Sequence, residues 1–119
     1  MPVEARTRIT LFVPVPGTLP QFYLVDKLLT DLLDACDGVT VSADLPAVFT
    51  GLWFNEQTQQ TERDANLLIL ADAPVPLGDA GLAGYLDRLK LRCQHDFDQD
   101  IIWITVHSVH RVTTDDYVR

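Results

Sequence analysis

The chain has 119 residues, of which 47% are hydrophobic and 22% charged, a composition typical of a globular domain and not of a disordered protein. Seventeen acidic and nine basic side chains give a formal net charge of -8, which disfavours binding to nucleic acid or to anionic membranes. The longest apolar run, Leu67 to Ala71, is far shorter than the ~20 residues of a membrane-spanning helix, and the N-terminus lacks an apolar signal segment, so we expect a cytoplasmic protein.

The first forty residues carry a strand pattern and then a helix pattern. Between Arg8 and Val15 apolar and polar side chains alternate, which predicts a strand that ends at a pair of prolines. Thr18 and Gln21 have the spacing of a capping box, so a helix should begin there, and Gly38 provides its end. The apolar residues spaced along one face of this helix are Phe22, Val25, Leu28, Leu29, Leu32 and Cys36.

The middle of the chain predicts two strands joined by a hairpin. Alternation from Val39 to Ala43 predicts a strand that Pro46 interrupts before an apolar stretch from Phe49 to Phe54, as suits an edge strand or a bulge. Polar residues 55–60 then predict a hairpin connection into a strand from Thr61 to Ala71. Because the end of that strand is apolar on both faces, we expect it to be central and covered above and below.

The last third of the chain has a helix pattern followed by a strand pattern. Asp79 is placed to cap the second helix, and Ile101 to Val109 predicts the final strand, followed by a polar tail from about Arg111. The apolar stripe of the second helix consists of Leu82, Tyr85, Leu86, Leu89 and Cys93. Residues 1–119 are expected to form a single domain, since no linker or internal repeat divides them.

The order strand, helix, strand, strand, helix, strand predicts an α+β fold, the ferredoxin-like βαββαβ sandwich. Right-handed crossovers put both helices on one face of an antiparallel four-stranded sheet whose first and third strands are central. If Ile9, Leu11, Ile102 and Ile104 face the helices, the other face, here called the helix-free face, carries Phe12, Trp103 and some of Leu67 and Ile69. An exposed apolar face of this kind marks an interaction site.

Two functional classes follow from this arrangement. The favoured one is a binding or regulatory module that forms a homo-oligomer, a dimer or a trimer, through the helix-free face or along strand edges. In a monomeric alternative, the segment from Pro46 to Gln60 folds over its own sheet. The second class is a small cofactor-independent isomerase or oxygenase with a site around His107, Tyr85 and Trp53; it rests on fold analogy, so a non-enzymatic role is favoured.

The candidate ligand or interface residues combine aromatic side chains with titratable groups. Glu62 and Asp64 alternate on the third strand and offer paired carboxylates near Trp53, while His107 shares the helix-free face with Trp103. The full set is Phe12, Trp53, Glu62, Asp64, Trp103 and His107. A small-molecule ligand is open as a partner of this set.

No catalytic residue, metal site or cofactor is predicted from motifs. His107 and His110 lie three residues apart, which sends their side chains to opposite faces of a strand. The alternating acids of residues 96–100 lack the turn glycine and the final glutamate of a calcium loop. Cys36 and Cys93 lie near the two helix ends; free thiols are favoured in a reducing cytoplasm, and a disulfide is left open.

Three short segments in the middle third of the chain carry a family resemblance. These are Gly38-Val39-Thr40, Thr50 to Phe54, and Glu62-Arg63-Asp64 ahead of an apolar strand. Together they resemble a pattern in small bacterial and cyanobacterial ferredoxin-like proteins, which implies a bacterial origin and carries no established activity. The signal-transducing trimers of the nitrogen-regulatory and copper-tolerance type share the strand order. That similarity implies oligomeric ligand sensing, although their recognisable loop sequences are missing here.

Overall fold

Five strands and two helices make up the computed structural model, which describes residues 3–42 and 49–112. In chain order the elements are β1 (Val3–Pro14), α1 (Leu19–Ala35), β2 (Gly38–Val41), β3 (Phe49–Asn55), β4 (Gln60–Ala73), α2 (Leu82–Asp96) and β5 (Trp103–Val112). Pro46 and the end of the polar tail, residues 113–119, lie outside the described residues, while Arg111 belongs to β5. Of the described helices, none is long and apolar enough to cross a membrane.

All strand pairings are antiparallel, and the order across the sheet is β2, β4, β1, β5. The central positions predicted for the first strand and the long apolar strand are thereby confirmed. β3 also pairs with β4, next to the stretch that pairs with β2, so that β2 and β3 lie end to end along the same edge of β4. The predicted four strand positions are therefore filled by five strands, because the second position is divided.

The core lies between the sheet and the two helices, which confirms the ferredoxin-like α+β sandwich. From the sheet it takes the fully buried side chains of Ile9, Leu11, Val13, Ile69 and Ala71, together with the nearly buried Leu67. From the helices it takes Val25, Leu28, Leu32, Leu82, Leu89 and Cys93. The period of two in the strands and of 3.6 in the helices therefore brings two apolar surfaces together.

The prediction that some of Leu67 and Ile69 lie on the helix-free face is wrong. Leu67 is the register partner of Val13 and Ile69 that of Leu11, so both side chains point toward the helices. Neighbouring strands place register partners on the same face, and β1 therefore sets the orientation of β4. The residues of β4 on the helix-free face are Leu68 and Leu70, which are partly exposed.

The two helices begin with different local structures. At α1 the backbone N–H of Gln21 donates to Thr18 Oγ1 at 3.4 Å, as the capping box predicts, and Gln21 Oε1 accepts from the backbone N–H of Gly17 at 2.7 Å. At α2 the cap residue is Gly81, not Asp79. Asp79 Oδ2 instead accepts from the N–H of Gly81 at 3.0 Å and closes the turn that leads into the helix.

Two arginines hold the layers together at the edge of the core. The guanidinium of Arg6, which is largely buried, forms ion pairs with Asp37 and with Glu4, and so joins β1 to the turn between α1 and β2. Arg92 of α2 pairs with Asp31 of α1 and so connects the two helices. A guanidinium that is mostly withdrawn from water needs such carboxylate partners to offset its desolvation.

Replacement of Leu28 by alanine is expected to lower the free energy of unfolding by about 2–5 kcal/mol, because it removes a side chain that is 1% exposed from the helix–sheet core. Leu33 of the same helix is 57% exposed, and Leu33→Ala is the matched control, with an expected loss within about 0.5 kcal/mol. Urea unfolding followed by circular dichroism measures both values. Equal losses for the two variants would contradict the assigned buried face of α1.

Candidate functional site

The helix-free face carries three transverse rows of side chains defined by strand register. Phe12 pairs with Leu68 on one side and with Trp103 on the other, and these three residues are called the apolar row. The next row places Leu70, Thr10 and Thr105 side by side. The third, the polar row, consists of Asp72, Arg8 and His107. Apolar and polar side chains are therefore segregated along the strands.

The apolar row ends in a highly exposed tryptophan. Trp103 is 69% exposed, and Phe12 and Leu68 are partly exposed. Among the described strands, β5 pairs only with β1. No described strand therefore lies on the other side of β5, next to Trp103. Ile101, just before β5, is 71% exposed as well. Such a cluster is unusual on a protein surface that stays in water.

The polar row contains a bidentate ion pair between Arg8 and Asp72. Arg8 Nε donates to Asp72 Oδ1 at 2.8 Å and Arg8 Nη2 donates to Asp72 Oδ2 at 3.3 Å, a fork that holds both side chains flat across the strands. The hydrogen bond to Asp72 and its charge raise the pKa of Arg8. His107 lies opposite Arg8 on β5 and is exposed. The row therefore places charged side chains two rows away from Phe12 and Trp103.

The structure brings together three of the six residues predicted from the sequence. Phe12 and Trp103 are direct cross-strand neighbours, and His107 lies two rows away on the same face. By contrast, Trp53 is paired with Glu62 in the β3–β4 hairpin, and Asp64 is paired with Gly51 farther along it. The register between β1 and β4 ends at Asn66, so these residues lie on a two-stranded arm in which β4, paired with β3, continues beyond the end of β1.

The geometry of the arm also bears on the monomeric alternative. The segment predicted to fold over the sheet ran from Pro46 to Gln60, and residues 49–60 of it are described. In that part β3 pairs with β4 along the sheet edge and leaves Trp103 exposed. In the monomeric alternative this segment covers the helix-free face, and its described part does not cover Trp103.

A cavity of about 260 Å³ opens on the helix-covered side of the sheet, where α1 ends and α2 begins. Its wall includes Cys36, Tyr85, Val75 and Leu82, with Asp79 beside them. These residues come from separate parts of the chain and share no spaced motif, so sequence analysis had no signal for the cavity. The enzymatic alternative needs Tyr85, His107 and Trp53 in one site. Tyr85 lines the cavity on the helix-covered side, whereas His107 lies on the helix-free face, so the structure does not bring these two residues together.

Burial raises the pKa values of a phenol and a thiol in the wall of this cavity. It raises the pKa of Tyr85 to about 12, and contact with Cys36 adds to the effect. Burial also raises the pKa of Cys36, an effect that the hydrogen bond to Tyr85 partly offsets and the charge of Asp72 reinforces. Cys93, on the same helix as Tyr85, has its pKa raised to about 11 by burial. Both cysteines are free and buried, as favoured from the sequence, and neither is an activated nucleophile.

Metal-ligating side chains do not gather within the described ranges 3–42 and 49–112. There, no group of three or more His, Cys, Asp or Glu residues has a geometry that holds a metal ion. Asp96 accepts a hydrogen bond from Arg92, and His95 lies against it, so this part of the acidic loop takes part in local ion pairs.

Comparison with known proteins identifies the fold. No protein-family model matches the chain, and no curated protein matches it by sequence. Among solved structures it is similar to CutA1 from Oryza sativa, with 13% identity over 90% of this chain and 82% of that one and a TM-score of 0.55.

Of two further similar structures, one is an enzyme and the other is a regulatory protein. A phage SAM lyase in complex with S-methyl-5'-thioadenosine has 13% identity over 96% of this chain and 92% of that one, with a TM-score of 0.56. CPII from Thiomonas intermedia, a nitrogen regulatory PII-like protein bound to ADP, AMP and bicarbonate, has 16% identity over 95% and 99%, with a TM-score of 0.54. At these identities the similarity shows the ferredoxin-like fold.

Alkaline pH is expected to destabilise the protein through Tyr85 and Cys93. Both groups are neutral when protonated, and their pKa values in the folded state lie above the ordinary values of 10.0 and 9.0. Their contribution to stability is therefore full below pH 9 and is lost as the pH rises toward about 11 for Cys93 and about 12 for Tyr85.

Urea unfolding measured at a series of pH values tests this linkage. Tyr85→Phe should show a shallower loss of unfolding free energy above pH 10 than the wild type, since phenylalanine has no proton to lose. Tyr23, which is 64% exposed, provides the control variant Tyr23→Phe, which should follow the wild type. A Tyr85→Phe profile parallel to that of Tyr23→Phe would contradict the role given to burial.

Proposed function

We propose that this chain is a cytoplasmic binding or regulatory module that forms a homo-oligomer, a dimer or a trimer, through the helix-free face. The observation that carries the proposal is the apolar row, in which Trp103 is 69% exposed beside Phe12 and Leu68. Two helices cover the other face, and the β3–β4 arm extends away from the row. A second copy of the chain would supply the missing cover.

The energetics favour such an association. Withdrawal of the exposed part of one tryptophan side chain from water contributes about 2–4 kcal/mol, and each copy in a symmetric interface brings its own. The polar row then lies at the border of the buried patch, where charged side chains keep their hydration. Aromatic side chains at the centre and charged ones at the rim are the usual composition of a protein interface.

The net charge opposes association and makes it sensitive to salt. Copies carrying a formal charge of -8 repel one another, and this repulsion is screened as the ionic strength rises. The apolar row must therefore supply enough free energy to exceed the repulsion. Association should be stronger at higher salt, which is the opposite of an interface held by ion pairs.

One of the similar solved structures supports a binding or regulatory role: CPII from Thiomonas intermedia is a nitrogen regulatory PII-like protein bound to ADP, AMP and bicarbonate. The phage SAM lyase is an enzyme with a similar fold. The enzymatic alternative, an isomerase or oxygenase, has less support, because His107 and Tyr85 lie on opposite faces of the sheet.

Replacement of Trp103 by glutamate is expected to dissociate the oligomer, because it puts a charge at the most exposed position of the apolar row. At micromolar concentration the wild type should give a light-scattering mass that is a multiple of 13.3 kDa, and Trp103→Glu a mass of one chain. The dissociation constant should rise at least about 30-fold, which corresponds to about 2 kcal/mol for an interface hot spot.

The control for this experiment is Leu91→Glu on the helix side. Leu91 is 65% exposed, nearly as much as Trp103, so the two variants lose a similarly exposed apolar side chain and gain the same charge. Leu91→Glu should keep the mass of the oligomer. A wild-type mass of one chain, or equal dissociation by the two variants, would overturn the proposal.

A further inference from the structure

The cavity of about 260 Å³ beside α2 is built as a site for a small molecule with an apolar body. Its floor is formed by Ile9 and Ala73 of the sheet, which are both buried, and its walls by Val75 and Leu82. For comparison, an apolar cavity of about 150 Å³ binds benzene. The space therefore accommodates one aromatic ring with a short side chain, or an aliphatic chain of similar size.

The mouth of the cavity is open because small residues surround it. Ala35 at the end of α1 is exposed and yet lines the cavity, and Gly81 at the start of α2 lines it from the other side. A Cβ atom added at Gly81 would lie 3.4 Å from Asp79 Oδ2, so glycine leaves space beside that carboxylate. The cavity is open to solvent.

The charge at the cavity is negative and is not locally neutralised. Asp79 is a lining residue, and among the described residues no lysine or arginine lies within ion-pair distance of its carboxylate. Its Oδ2 accepts one hydrogen bond, from the backbone N–H of Gly81 at 3.0 Å. The remaining titratable groups of the wall, Tyr85 and Cys36, are neutral at pH 7, and burial raises the pKa of each still further.

We propose that this cavity binds a small amine, with the apolar body inside and the protonated amino group at the Asp79 carboxylate. A carboxylate or phosphate ligand would be repelled by Asp79 and by the acidic surface. A neutral ligand of the same shape gains the apolar contacts without the ion pair. The cavity lies on the helix-covered side, so this site goes beyond the proposed oligomer and does not depend on it.

Three probes of one shape test the proposal: 2-phenylethylamine, which is protonated at pH 7, 2-phenylethanol, which is neutral, and phenylacetate, which is an anion. Binding to the full chain is measured by NMR titration at neutral pH and low salt. The amine should bind about three- to fivefold more tightly than the alcohol, as expected for a partly exposed ion pair, and phenylacetate should bind least. No binding of any probe up to about 10 mM, or equal affinity for all three, would overturn the proposal.

Two substitutions locate the binding. Asp79→Asn keeps an oxygen that accepts from Gly81 N–H, and it should lower the affinity for the amine to that of the alcohol without changing the alcohol's own affinity. Asp87→Asn makes the same charge change on the exposed side of α2, outside the cavity wall, and should leave both affinities unchanged. Equal effects of the two variants would show a general charge effect and refute the assigned contact.

Ala35→Trp blocks the mouth and should abolish binding of all probes while the circular dichroism spectrum stays that of the wild type, since Ala35 is exposed. Binding that survives in a folded Ala35→Trp variant would place the amine elsewhere and overturn the proposal. The proposed oligomer and the proposed amine site can be refuted independently of each other. Trp103→Glu should still bind the amine, and Ala35→Trp should still form the oligomer.

Discussion

Burial of one sheet face beneath two helices is the constraint on which the rest of this structure depends. The side chains of Ile9, Leu11 and Ile69 are completely withdrawn from water in that layer, and they hold β1 and β4 in the centre of the sheet. Two helices of 17 and 15 residues cannot cover both faces. The alternate residues of the same strands therefore face outward, and the apolar row is the direct result of a helix layer that exists on one side only.

The divided second strand is the other feature that shapes the surface. β4 is the longest strand, with 14 residues, and it pairs with β2 near one end and with β3 near the other. Beyond Asn66 the sheet is reduced to the two strands of the arm. A two-stranded ribbon is marginally stable in water by itself, so the arm depends on its continuity with the packed part of β4.

Ion pairs connect the layers and leave an acidic remainder. Arg6, Arg8 and Arg92 each pair with an aspartate of another part of the fold: the turn before β2, strand β4 and helix α1, respectively. With seventeen acidic and nine basic residues, many carboxylates have no such partner available. The chain is therefore negatively charged on the whole, and each of its two apolar features lies near an aspartate, Asp72 on the helix-free face and Asp79 at the cavity. Arg8 neutralises the first carboxylate, whereas no described lysine or arginine pairs with the second. This difference in charge is one reason why we propose an oligomer interface at the first feature and an amine site at the second.

Local periodicity in the sequence determined the strands, the two helices, the capping box at Thr18 and the placement of Phe12 and Trp103 on one face, because these features depend on residues within a few positions of one another. Periodicity did not place Leu67 and Ile69 on the correct face, since every residue of an apolar run is apolar and the two faces look alike. Pairing with β1 determines which face each side chain occupies. Periodicity also could not separate Trp53, Glu62 and Asp64 from the other candidate residues, because the position of the arm depends on how far β1 extends along β4. The cavity was beyond sequence analysis altogether: Cys36, Asp79 and Tyr85 meet there only because the end of one helix packs beside the start of the other.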